Sequence, residues 1–170
     1  MHDEELGSAE RYDRTVRDLS QIFSDLVWLE TELWQATDAR LKADFDLPLV
    51  RFKPMQVIGR LPSCRVNDIA VEMSMTVGGT SKLVDRIERA GHCRRTPNPN
   101  DRRSSVVVLT PAGKRLLVEA TEAFEEELEL RLGSVLSPRA LQQLGASLRT
   151  LRDGASAGAS AVGSTSRPIE

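Results

Sequence analysis

The stretch VNDIAVEMSMTVGGTSKLVDRIERAGHCRRTPNPNDRRSSVVVLTPAG, residues 66–113, decides the fold. It opens with two short helical segments joined tightly. Asn67 is placed to cap a helix over 68–73, with Val66 outside it as a hydrophobic staple. Ser74 and Met75 make the turn. Thr76 then caps a second helix over 77–90, and Gly91 stops it. On this second helix Leu83, Val84 and Ile87 fall on one side. Lys82, Arg86 and Arg89 fall on the other, at i, i+4 and i+7. Residues 93–96 read as a short strand, 97–101 are dense in turn formers, and 104–109, with Val106, Val107 and Val108, read as the returning strand. Helix, turn, helix and a hairpin with a basic tip make a winged helix-turn-helix.

Outward from this block the pattern is helical. Leu49, Phe52, Met55, Ile58 and Leu61 recur every three residues and predict a short helix, with Pro54 near its first turn or bending it. Leu19, Ile22, Phe23, Leu26, Val27, Leu33, Trp34 and Leu41 predict a long helix before it. A helix of that length rarely buries its apolar stripe against its own chain alone, which points to a partner subunit. On the other side, Thr110-Pro111 supplies a hydroxyl cap and a proline at the first helical position. Leu116, Leu117, Ala120, Phe124, Leu128 and Leu132 follow at helical spacing, and Gly133 ends the helix. Ser137-Pro138 repeats the start signal ahead of Leu141, Leu144, Leu148 and Leu151. The expected class is mainly α with a small β-hairpin wing, dimeric through long N- and C-terminal helices. The expected organisation is a flexible N-terminus over 1–11, a helical dimerisation region over 12–48 and 111–153, a DNA-binding winged domain over 49–110, and a disordered tail of Ala, Gly and Ser over 154–170.

Charge separates along the chain. The 170 residues carry a net charge of −2. Residues 63–115 hold ten Lys/Arg and five Asp/Glu, a net +5; the remainder holds thirteen and twenty, a net −7. A basic block in an acidic protein is a candidate footprint for phosphates. The longest apolar runs are far short of a membrane span, and the acidic start lacks the apolar core of a secretory signal, so a cytoplasmic protein is expected. The chain has two histidines, no glycine-rich phosphate loop, no metal-ligand cluster and no nucleophile motif. Neither an enzyme nor a bound cofactor or metal is expected.

The second helix of the pair has the face that a major groove admits. Gly78 and Gly79 in its first turn would allow close backbone approach, with free N–H groups toward phosphate or bases. Thr80 and Ser81 add short hydrogen-bonding side chains, and Lys82 and Arg86 add charge. On the wing, Arg95 and the tip Asp101-Arg102-Arg103 are the candidates. A guanidinium at such a tip can enter a narrow minor groove, and Asp101 could hold it in a bidentate pair.

Over about 50 residues, from Val66 to Leu117, the chain resembles the MarR family of bacterial regulators. The segments that carry the resemblance are Asp68-Ile69-Ala70 through Met73, Thr80 through Gly91, and Asp101-Arg102-Arg103 followed by Val107-Val108-Leu109-Thr110-Pro111-Ala112-Gly113. The resemblance implies an obligate homodimer joined through its first and last helices. It implies a recognition helix in the major groove, with Gly79, Thr80, Lys82 and Arg86 toward DNA, and Arg103, oriented by Asp101, in the minor groove. It further implies a repressor of palindromic operators, released by a small, often phenolic or anionic, effector. The chain departs from the family in Gly78-Gly79, which replaces hydroxyl-bearing residues, and in His92-Cys93, which replaces apolar ones.

Two further readings remain open at this level. Cys64 or Cys93 could serve as a redox sensor, since Cys93 lies beside His92, Arg94 and Arg95, although a small buried cysteine is the commoner case. Trp28 and Trp34, near Phe52 and Met55, could line an aromatic effector pocket, or could be core or dimer-interface packing.

Overall fold

A computed structural model describes residues 3–98 and 101–162, with side chains over 18–98 and 104–154. The elements in order are α1 (Asp3–Phe45), α2 (Leu49–Arg60), α3 (Val66–Glu72), α4 (Val77–Arg89), β1 (Cys93–Asn98), β2 (Asp101–Leu109) and α5 (Pro111–Leu128). A π-helical turn (Glu129–Gly133) and α6 (Pro138–Val162) complete the chain. It divides into two compact units after Glu127.

In the first unit the three-residue apolar spacing of α2 becomes the centre of the core. Phe52, Met55 and Ile58 are buried with Leu41 of α1, Ile69 of α3, Val84 and Ile87 of α4, Val107 of β2 and Ala120 of α5. Phe52 meets Phe124 of α5 at a ring-centroid distance of 5.2 Å. Pro54 lies inside α2, past the first turn, with its side chain fully buried. The start of α2 is capped from α1: the Asp38 carboxylate accepts the Leu49 N–H at 2.8 Å. The first helix of the tight pair begins earlier than its sequence signal. Arg65, not Asn67, is the N-cap, and Asp68 accepts the Arg65 N–H at 2.8 Å. Val66 is therefore within the helix rather than a staple outside it. Ser74 completes the turn with φ 51°.

The hairpin is longer than its valine run predicts. β1 and β2 pair antiparallel from Cys93↔Leu109 to Pro97↔Ser105, then shift register to Asn98↔Asp101. Val107 also donates to the Cys64 carbonyl at 2.7 Å, which ties β2 to the segment before α3. The Leu-Thr-Pro-x-Gly motif anchors this hairpin to α5. The Thr110 hydroxyl donates to the Gly91 carbonyl at 2.7 Å and accepts the Gly113 N–H at 3.0 Å. The Thr110 N–H reaches the His92 carbonyl at 3.0 Å. A Cβ on Gly113 would lie 1.9 Å from that same carbonyl oxygen, so only glycine fits.

In the second unit Ser137-Pro138 starts a helix as its residues predict, since the Ser137 hydroxyl accepts the Ala140 N–H at 3.3 Å. α6 continues to Val162, into the segment expected to be a disordered tail, just as α1 begins at Asp3 rather than near residue 12. Lack of apolar bulk marks that tail as disordered in the sequence. Its recurring alanines, however, carry helix propensity that needs no core.

Candidate nucleic-acid interface

The candidate interface is built on α4. Thr76 caps it as expected, its side chain accepting the Gly79 N–H at 3.2 Å. Thr80, Leu83, Val84 and Ile87 are buried, and Gly78, Lys82, Arg86 and Arg89 are exposed. Ser81 is half-buried. Gly78, Lys82 and Arg89 thus form an outward ridge, with Arg86 beside it.

Three of the expected site residues are corrected by this geometry. Thr80 does not belong to the outward face. Its hydroxyl donates back to the Thr76 carbonyl at 3.0 Å, and its side chain is sealed in the core. The spacing 80–83–84–87 carries that signal. Gly79 does not offer a free N–H, because Thr76 consumes it. Arg95 is not a free wing cation. It donates to Asp85 at 2.7 Å and Glu88 at 2.5 Å, and its backbone N–H donates to Glu88 at 2.7 Å. These contacts fasten β1 to α4. They also occupy both carboxylates of α4. Among the described residues no ion pair engages Lys82, Arg86 or Arg89. The exposed ridge is left with positive charge alone. The side chains of Asp101, Arg102 and Arg103 lie outside the described residues; their backbone opens β2.

The thiols are poorly placed for redox chemistry. Cys64 and Cys93 are both buried. Burial, aided by Asp68, pushes the Cys64 thiol up to about 11. Burial also pushes Cys93 up to about 11, with Glu88 and Asp85 adding to it and Arg95 opposing. Thiolate, the reactive form, is disfavoured at both.

The suggested aromatic pocket does not assemble from Trp28, Phe52 and Met55. Phe52 and Met55 are sealed in the core, whereas Trp28 is 66% exposed on α1. Of the two expected tryptophans, Trp34 does line a groove, of about 480 Å³, between α1, α2 and α3, together with Lys53, Gln56, Arg60 and Glu72, among others. Lys53 lies 5.2 Å from the Phe124 ring centroid, and burial, then the neighbouring Arg60, lowers its pKa. Glu72 is engaged by Arg60 at 2.7 Å. Nothing in the sequence singles out Lys53, because a lone lysine on a short helix carries no signal of burial. Among the described residues no helix is long and apolar enough to cross a membrane.

Residues 47–105 match the family model described as MarR family. The chain is 31% identical over 102 residues to the uncharacterized HTH-type transcriptional regulator YfiV of Bacillus subtilis, covering 60% of this chain and 62% of that one. To YcgE of the same organism, also an uncharacterized HTH-type transcriptional regulator, it is 33% identical over 90 residues, 46% of this chain and 58% of that one. The matches thus span about three fifths of these relatives. Among solved structures, the S. aureus MepR–DNA complex is 26% identical, with a TM-score of 0.68 over 79% of this chain and 96% of that one. Sco3205 of Streptomyces coelicolor, a MarR family transcriptional regulator solved in complex with DNA, shares the fold. Its TM-score is 0.73 at 23% identity, over 79% of this chain and 86% of that one.

Proposed function

The chain carries a MarR-family domain over residues 47–105, and from that premise we propose that it is a sequence-specific regulator of transcription, not an enzyme, that binds double-stranded DNA as a homodimer. The observation that carries this is the ridge of α4. Lys82, Arg86 and Arg89 are exposed and, among the described residues, outside any ion pair, while Asp85 and Glu88 are tied to Arg95 beneath the wing. A helix with only positive charge outward is attracted to phosphates and can present donors to base edges. Arg103 and Arg102, with Asp101, are proposed to serve the adjacent minor groove. The exposed stripe Leu19, Ile22, Phe23, Leu26 and Val27 on α1 supports the dimer, since water-exposed apolar area of this extent is stabilised by a second copy. A two-fold dimer favours palindromic sites with half-sites about one helical turn apart.

Repression relieved by a small aromatic anion is the regulatory part of the reading. The groove beside Trp34 supports it, offering an aromatic wall and, in Lys53, a half-buried ammonium with no carboxylate in salt-bridge contact among the described residues. Peroxide sensing lacks comparable support, because both thiols are buried and held as thiols.

The test is selection of bound sequences from random duplexes by the full chain, followed by titration of the selected duplex with small aromatic acids. A palindrome released by an aromatic acid, with release weakened by Lys53→Met, supports the whole reading. No enrichment at low ionic strength would sink it.

A further inference from the structure

The ridge of α4 holds a gap that the chain itself does not need. Gly78 lies one turn before Lys82 on the exposed face. Among the described glycines only Gly91 has a positive φ, so the backbone at Gly78 suits any residue. A Cβ built there meets nothing within 4 Å. Alanine at this position would make the better helix. Nothing inside the molecule explains the glycine.

Exposed apolar side chains lie close to it in the chain. Val77 is 52% exposed and Met75 36%. A Cβ on Gly79 would stand 3.1 Å from the Thr76 hydroxyl and 3.8 Å from the Met75 methyl. Gly78 therefore leaves an open notch in the side-chain surface of α4, with the exposed Val77 next to it in the chain. This turn is not arranged to hold an anion, since Thr76 already takes the Gly79 N–H through its hydroxyl and the Thr80 N–H through its carbonyl. What the notch offers is access to the helix backbone beside the exposed isopropyl group of Val77.

In the major groove the thymine 5-methyl group is the apolar feature of a base-pair edge. Resting on the DNA-binding reading above, we propose that this notch receives a thymine 5-methyl group, with Gly78 admitting the base-pair edge and the exposed Val77 side chain packing against the methyl. Each half-site then carries an obligatory thymine facing the start of α4, and Lys82 and Arg86 engage neighbouring base pairs or phosphates.

The experiment compares the selected duplex with copies in which each thymine in turn is replaced by uracil, which pairs identically but lacks the methyl. Burial of one methyl corresponds to about fourfold in affinity. The full-length protein is expected to bind about fourfold more weakly when the critical thymine of one half-site is replaced. Val77→Ser should bring that ratio close to one. Gly78→Ala should melt at a higher temperature yet bind the thymine duplex at least tenfold more weakly. Equal affinity for every uracil copy, or undiminished binding by Gly78→Ala, overturns the notch while leaving DNA binding intact. Failure to select any duplex overturns the reading beneath it and the notch together.

Discussion

At the scale of single residues, the positions that look most alike in the sequence have opposite fates. Arg95 and Arg86 are both arginines of the basic block. One is consumed by two carboxylates, and the other stands exposed. Thr80 and Ser81 are adjacent hydroxyls, yet only Thr80 is sealed in the core. Gly113 is a glycine for a steric reason, with the His92 carbonyl filling the place of a side chain. Gly113→Ala should destabilise the fold by about 2–4 kcal/mol, because backbone rather than a flexible side chain must yield; urea unfolding followed by circular dichroism measures it. His92 itself is held below its ordinary pKa by burial, and then by the charge of Arg51. A histidine depressed in the folded state contributes stability that is complete above its unfolded pKa of about 6.5 and is lost as pH falls toward the folded value. His92→Asn should therefore lose less stability than the parent between about pH 7.5 and pH 5.5. Parallel losses in urea midpoint at the two pH values would contradict the assignment.

At the scale of elements, β1 and α4 are tied together because Arg95 spans them. The guanidinium reaches Asp85 and Glu88, while the Arg95 N–H holds Glu88 a second time. Arg95→Ala should cost about 1–2 kcal/mol, at the lower end for charged hydrogen bonds because the carboxylates are partly exposed. It should also weaken duplex binding, since the released carboxylates return negative charge to the ridge. Lys82→Ala and Arg86→Ala should instead leave stability within about 0.5 kcal/mol. Each that touches phosphate should lower the salt slope of binding by about one. Thermal melts beside salt-dependent titrations separate the two classes, and a destabilised Lys82→Ala would count against this division of roles. The starts of α4, α5 and α6 are legible in the residue order itself, since Thr76, Thr110 and Ser137 all cap where their hydroxyls stand. The start of α3 is not. Its cap is a backbone N–H satisfied by Asp68, which leaves no mark at residue 65.

At the scale of the whole molecule, a long exposed apolar stripe on α1 stands apart from an otherwise well-packed first unit. Ile22→Asp with Phe23→Asp should leave the winged core folded, because neither side chain belongs to it. The double variant should shift the sedimentation coefficient to that of a monomer and reduce affinity for a palindrome by two orders of magnitude or more. A dimer that survives both charges would place the subunit contact elsewhere. The amino-acid order alone determined where the helices lie, the hydroxyl caps of α4, α5 and α6, the hairpin and the basic block, because these follow from interactions among residues a few positions apart. It also placed Lys82 and Arg86 on the outward face, since helical periodicity is local. Only the tertiary structure decided which charges are spent internally, as with Arg95; which cap comes from a distant helix, as Asp38 caps α2; and which thiols and aromatics are sealed away. Those outcomes depend on groups far apart in sequence meeting in space, and on the water each meeting removes.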